Sequence, residues 1–203
     1  MDAFGATPLT KQPFEYMIVP NFVRSETCAG INADYPSISQ TGSFPVAQLS
    51  FGSAFQGLLD DLESDEFRKA FEQKFAIDLN GRPCTTTVRG QCSIKDGQIH
   101  TDSESKIITV LIYVNPAWEA DGGRLRLLRS GSDLDDVVAE VPPQEGTLLA
   151  FKRADNSWHG HKPFAGPRRV IQFNWVTSER NRRLAMLRHH ISAPIKRLLS
   201  AVH

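Results

Sequence analysis

Between Thr85 and Trp175 the chain breaks into short runs of β-branched and aromatic residues, each closed by a turn signal. The runs cover residues 85–93, 106–115, 124–128, 146–151 and 168–175, with Asp96-Gly97 and Gly122-Gly123 among the turns between them. Short strands at this spacing predict an all-β sandwich or barrel core.

Helical periodicity is confined to the flanks. Phe55, Leu58, Leu59 and Leu62, then Phe67, Ala70, Phe71 and Phe75, fall at three- and four-residue steps. Ser64 reads as the N-cap of the second helix, with Asp65 and Glu66 near its positive end. Two such helices are read as packing their apolar faces on the sheet, so the class is mainly β with flanking α. Upstream, residues 13–20 suit a strand, Ser25 suits the cap of a short helix ending before Pro36, and residues 37–45 read as a loop.

A chain of 203 residues with 40% hydrophobic side chains can bury one core, so residues 1–203 are read as one domain. Its parts are residues 1–84, an N-terminal strand and helices; 85–176, the β core; and 177–203, a C-terminal helix. In that last part Leu184, Leu187, Ile191, Ile195, Leu198 and Val202 form a stripe opposite Arg180, Arg182, Arg183, Arg188, Lys196 and Arg197, with a kink at Pro194. The pattern predicts a closing helix packed on the sheet with a solvated basic face.

With 23 basic and 23 acidic side chains the formal net charge is zero, which argues against nucleic acid or an anionic membrane as partner. No apolar run approaches a membrane span, and the N-terminus lacks the pattern of a signal peptide. Cys28, Cys84 and Cys92 lie too far apart for a zinc motif or a disulfide framework. The expectation is a soluble protein of a reducing compartment, the cytoplasm.

His100-Thr101-Asp102 is the first candidate for chemistry. Alternate side chains of a strand face the same way, so His100 and Asp102 project together, and His159 or His161 from a distant strand can complete the set. Two imidazoles and one carboxylate on one face of a metal octahedron leave the remaining positions open, the ligand set of non-haem Fe(II) oxygenases that take a 2-oxo acid and O2. A dicarboxylate co-substrate also needs a fixed cation, for which a planar guanidinium is suited. Arg168 and Arg169 must point to opposite faces of their strand. With Arg168 inward, Val170, Gln172 and Asn174 share the polar face, and Ile171, Phe173 and Trp175 meet the helices. The reverse would press two amides into an apolar layer. By the same alternation Thr109, Leu111 and Tyr113 face inward, making Tyr113 the candidate phenol beside the clamp.

Taken together, His100-Thr-Asp102, Tyr113-Val-Asn115, Trp118, Gly122-Gly-Arg-Leu-Arg126, Pro143 to Phe151, His159, Pro163 and Arg168 resemble the Fe(II)/2-oxoglutarate-dependent dioxygenases, most closely their prolyl hydroxylase branch. The resemblance spans roughly His100 to Trp175. It implies a double-stranded β-helix (jelly-roll or cupin-like) with helices backing the major sheet. It also implies that 2-oxoglutarate is split to succinate and CO2 while a substrate C–H bond is oxidised. His100, Asp102 and His159 would bind iron, His159 being favoured over His161 by its place after Trp158 and before Pro163. Tyr113 and Arg168 would hold the distal carboxylate, with Thr109, Leu111 and Leu125 lining its pocket. The chain departs from the hypoxia-sensing members in the segment Arg89-Gly-Gln-Cys-Ser-Ile-Lys and at Asn174, where they carry an inward tryptophan. Both departures fall on the substrate side, so the substrate is read as a small molecule or a peptidyl or sugar C–H bond. Two other readings of the same motif are a cupin-like metal barrel without oxidative chemistry and a nucleic-acid demethylase. The first has no use for a dicarboxylate clamp. The second would show aromatic stacking residues around a basic groove.

Overall fold

The computed structural model describes residues 1–187. In chain order its elements are α1 (Asp2–Ala6), β1 (Tyr16–Val19), α2 (Ser25–Ala33), β2 (Phe44–Pro45), α3 (Ser53–Glu63), α4 (Asp65–Phe75), β3 (Cys84–Cys92), β4 (Lys106–Tyr113), β5 (Leu125–Leu128), β6 (Val137–Val141), β7 (Leu148–Lys152), β8 (His159–His161) and β9 (Gly166–Val176). Residues 179–187 are again helical. The strands form a six-stranded sheet, β1-β7-β4-β9-β3-β2, and a three-stranded sheet, β6-β5-β8. Every pairing within them is antiparallel. The architecture is mainly β with flanking helices.

Alternation along β4, β7 and β9 gives the larger sheet two different faces. Ile108, Val110, Ile112, Leu148, Ala150, Ile171, Phe173 and Trp175 join Phe55, Leu58, Leu62, Phe67 and Phe71 of α3 and α4 in one core. On the opposite face Tyr113, Leu149, Phe151 and Val170 meet Leu125, Leu127 and Val141 of the smaller sheet. The helix layer thus seals one side, and the polar cavity lies on the other, beside this second apolar cluster.

α4 is built as its sequence requires. Ser64 Oγ accepts the backbone N–H of Phe67 at 3.2 Å, Asp65 and Glu66 stand in the first turn, and Ala76 ends the helix in the left-handed region at φ 49°. α2 differs from expectation. It begins at Ser25 with Arg24 at the N-cap, and the Ser25 hydroxyl donates to Glu145 Oε1 at 2.9 Å instead of capping.

The C-terminal stripe is corrected where it can be seen. Leu184 and Leu187, expected to pack on the sheet, are 44% and 54% exposed. The rest of that stripe, from Ile191 to Val202, lies outside the described residues.

Candidate functional site

His100 and His159 are brought together by an isolated antiparallel bridge at the first residue of β8, with backbone bonds in both directions at 3.0 and 2.9 Å. Their rings lie 4.3 Å apart, centroid to centroid. Asp102 completes the group: one ligand atom from each of His100, Asp102 and His159 falls within 4.8 Å of the others. His100 is exposed, whereas Asp102 and His159 are buried.

The local hydrogen bonds leave this trio ready to donate electron pairs. His100 Nδ1–H donates to the Gln98 carbonyl at 2.8 Å, and His159 Nδ1–H donates to the Ser157 carbonyl at 2.9 Å. Each Nε2 therefore keeps its lone pair, the tautomer a metal requires. Burial pushes His159 down to about 4, so it is neutral across the physiological range. Burial alone would raise the Asp102 carboxyl. The Lys106 ammonium, the positive form of His159 and hydrogen bonds from Lys106 and Thr109 outweigh it and hold Asp102 below its ordinary value. Lys106 Nζ sits 2.7 Å from Asp102 Oδ1, and Thr109 Oγ1 donates to Oδ2 at 2.5 Å. Two imidazoles whose Nδ1–H groups are turned to backbone carbonyls, with an ionised carboxylate, fit a divalent iron.

The trio opens onto a cavity of about 230 Å³, whose lining includes Thr109, Leu111, Leu125, Phe151, Gln172 and Arg168. Arg168 is only 5% exposed. Its Nε donates to the Gly123 carbonyl at 2.8 Å, and its Nη2 reaches the Tyr113 hydroxyl at a long 3.5 Å. Gly123 is needed there. At φ +75° any side chain would be strained, and a Cβ would sit 2.7 Å from the Trp118 ring. Among the described residues no carboxylate lies within ion-pair distance of Arg168, although the cavity's other cations are paired, Arg89 with Asp96 and Lys106 with Asp102. Arg169 points the other way. It lies above the Tyr35 ring at 5.0 Å and donates to Asn32 Oδ1 at 2.7 Å, instead of extending toward water.

Most of the residues singled out in the sequence converge here. His100, Asp102, His159, Thr109, Leu111, Leu125 and Arg168 all line the one cavity. Tyr113 does not. It is fully buried behind Arg168, its ring 5.4 Å from the guanidinium carbon, so it backs the clamp and is not on the cavity surface. His161 also lines the cavity, but its Nδ1–H is bonded to the Lys162 carbonyl at 2.8 Å and its Nε2 faces the Cys92 thiol at 3.8 Å. Lys106 was missed because strand alternation puts it on the face opposite Thr109. A bulge between Lys106 and Ile108 restores it to the inner side. Arg89 and Asp96 carried no motif, and only the fold reveals that they meet. Asn115, by contrast, is structural: its side chain ties the Pro143 carbonyl at 2.6 Å and the Arg169 backbone N–H at 2.7 Å.

A His–Asp–His cluster and a guanidinium with no carboxylate partner, opening on one cavity beside two facing sheets, have the make-up of a mononuclear metal site. The model of the 2OG-Fe(II) oxygenase superfamily matches residues 91–177, the stretch that holds the whole cluster. That segment matches the superfamily's model, and the chain is an oxygenase whose cofactors are Fe(II), 2-oxoglutarate and O2. Its fold is similar to that of prolyl hydroxylases of known structure. A Pseudomonas putida prolyl-4-hydroxylase aligns with TM-score 0.56 at 18% identity over 80% of this chain and 92% of that one. The viral collagen prolyl hydroxylase of Paramecium Bursaria Chlorella virus-1, solved with 2OG, aligns with TM-score 0.55 at 16% identity over 80% and 96%. A Trichoplax adhaerens prolyl hydroxylase, in complex with a hypoxia inducible factor peptide fragment, gives TM-score 0.55 and 20% identity over 83% and 86%. No curated protein matches the chain in sequence.

Proposed function

We propose that the protein is a 2-oxoglutarate- and O2-dependent hydroxylase of a small molecule or of a peptidyl or sugar C–H bond, releasing succinate and CO2. In this reading the two facing sheets are a double-stranded β-helix, and His100, Asp102 and His159 hold Fe(II). Arg168 binds the distal carboxylate of 2-oxoglutarate, with Thr109, Leu111 and Leu125 along its chain and Tyr113 steadying the guanidinium. The bound iron supplies O2 activation coupled to decarboxylation of the oxo acid. The chain's own residues do the rest. Asp102 and the two Nε2 lone pairs fix the ion, and the apolar walls of Leu111, Leu125 and Phe151 exclude water from the co-substrate.

One observation carries the reading: a buried guanidinium without an anion opens into the same cavity as the His–Asp–His trio. A buried charge left unpaired is costly, and a dicarboxylate relieves it. A cupin-like barrel without oxidative chemistry has no such need. A nucleic-acid demethylase would need stacking rings, and Phe151 is the one Phe, Tyr or Trp among the lining residues. The three free cysteines accord with a reducing compartment such as the cytoplasm.

The test is anaerobic titration of the Fe(II)-loaded protein with 2-oxoglutarate. A metal-to-ligand absorption band is expected, followed by succinate release when air is admitted with candidate substrates. Absence of both the band and calorimetric 2-oxoglutarate binding would return the protein to the cupin-like class.

A further inference from the structure

Thr109, Asn174 and Thr85 stand directly opposite one another across the adjacent strands β4, β9 and β3. All are buried, at 1%, 3% and 6% exposure. Thr109 Oγ1 lies 2.5 Å from Asp102 Oδ2 and 3.0 Å from the Asn174 side-chain amide. A hydroxyl has one proton, and the ionised acceptor at the shorter distance takes it. Toward Asn174 the Thr109 oxygen can then only accept. The amide must therefore present its NH2 group to Thr109, a half-turn from the orientation that puts Oδ1 there.

With a matching half-turn of Gln172, whose Nε2 now faces Asn174 at 3.2 Å, every neighbour is satisfied. The Asn174 carbonyl then accepts from the Thr85 hydroxyl, the contact now spanning 3.1 Å, and the second amide proton goes to Gln172 Oε1. The result is a directed chain in which Asn174 Nδ2–H donates to Thr109 Oγ1, whose own proton goes to Asp102 Oδ2. Without Asn174 the Thr109 hydroxyl is free to rotate. With it, the Thr109 O–H is aimed at Oδ2 and steadies the carboxylate. Asp102 Oδ1 is left with Lys106, a partner on a flexible stem that can withdraw.

We propose that Asn174 is a positioning residue for the metal centre, acting through the Thr109 hydroxyl to hold Asp102 in its ligating orientation. The inference rests on the reading of His100, Asp102 and His159 as metal ligands, and it gives the polar inner end of β9 a role beyond lining a pocket.

The test is the affinity of the full chain for Co(II), a spectroscopic stand-in for Fe(II), in wild type, Asn174→Leu, Thr109→Val, Thr109→Ser and the Asn174→Leu/Thr109→Val double variant. Outer-sphere partners of metal ligands are worth roughly 10- to 100-fold in metal affinity, so Asn174→Leu and Thr109→Val should each weaken Co(II) binding by about tenfold or more. Thr109→Ser should bind as wild type does. The double variant should bind no more weakly than Thr109→Val alone, because both act on one proton. Should Asn174→Leu fail to fold, Asn174→Thr, too short to reach Thr109, replaces it. A merely structural Asn174 would lower the melting temperature and leave the Co(II) constant unmoved, which overturns the proposal. So does a loss from Asn174→Leu that is as large in the Thr109→Val background as in wild type. Failure of wild type itself to bind Co(II) would overturn the metal centre, and this proposal with it.

Discussion

Arg168 leans on the Gly123 carbonyl at 2.8 Å while Arg169, one residue on, is bonded to Asn32 on the far side of the sheet. The pair makes an internal control. Removing one side of a buried ion pair costs about 3–5 kcal/mol, roughly hundreds- to thousands-fold in affinity. Arg168→Ala should therefore raise the 2-oxoglutarate dissociation constant by at least a hundredfold, measured by calorimetry on metal-loaded protein. Arg169→Ala should change it by less than about threefold, since that side chain serves α2 and Tyr35 and not the cavity. The reverse ranking would mean that the co-substrate sits elsewhere. The orientation of this pair was readable from the sequence alone, because only one register of 168–175 keeps Gln172 and Asn174 away from the apolar layer. What was not readable is Tyr113. Alternation gives its direction but not its depth, and the guanidinium lies between it and the cavity.

Elements were legible in proportion to how local their causes are. The Ser64 cap and the apolar stripes of α3 and α4 need nothing beyond neighbouring residues, and they appear where the spacing puts them. The Ser25 hydroxyl goes to Glu145, 120 residues away, and Lys106 enters the site only through a bulge in the pairing with β9. Neither cause is written in the local pattern. α4 has a measurable role in the layer behind the site. Phe71 is 0% exposed, with ring centroids 4.7 Å from Phe4, 4.7 Å from Phe67 and 5.0 Å from Trp175. Truncating such a side chain costs about 3–5 kcal/mol in lost burial and cavity. Phe71→Ala should lower denaturant stability by that amount. The fraction that stays folded should bind Co(II) as wild type does, because the ring lies on the face of the sheet opposite the cavity. A Co(II) constant that weakened along with stability would show that the helix layer and the metal site are one mechanical unit.

Across the whole molecule the three cysteines sample separate environments: Cys28 in α2 and Cys84 and Cys92 at the two ends of β3. Burial, with a smaller contribution from Glu145, pushes the Cys28 thiol up to about 11, and burial with Glu63 pushes Cys84 up to about 12. Burial raises Cys92 as well. Only the thiolate reacts with disulfide reagents. At pH 8 a thiol at its ordinary value of 9.0 is ionised to about a tenth, whereas these shifts leave roughly a thousandth for Cys28 and a ten-thousandth for Cys84. Cys84 is half-buried, so for it the suppression comes from its ionisation and not from lack of access. The linkage has a definite sign. A thiol whose folded value lies above its unfolded one favours the folded state fully below about pH 9, and that contribution is lost as pH rises from there through 11 and 12. The native protein should therefore resist labelling by a disulfide reagent at pH 8, and all three thiols should react promptly once denaturant unfolds it. Stability should fall on the alkaline side above pH 9, and Cys84→Ser should remove part of that slope. A thiol that labels rapidly at pH 8 in the folded protein, with stability flat from pH 8 to 11, would mean that these side chains are not held neutral by the fold.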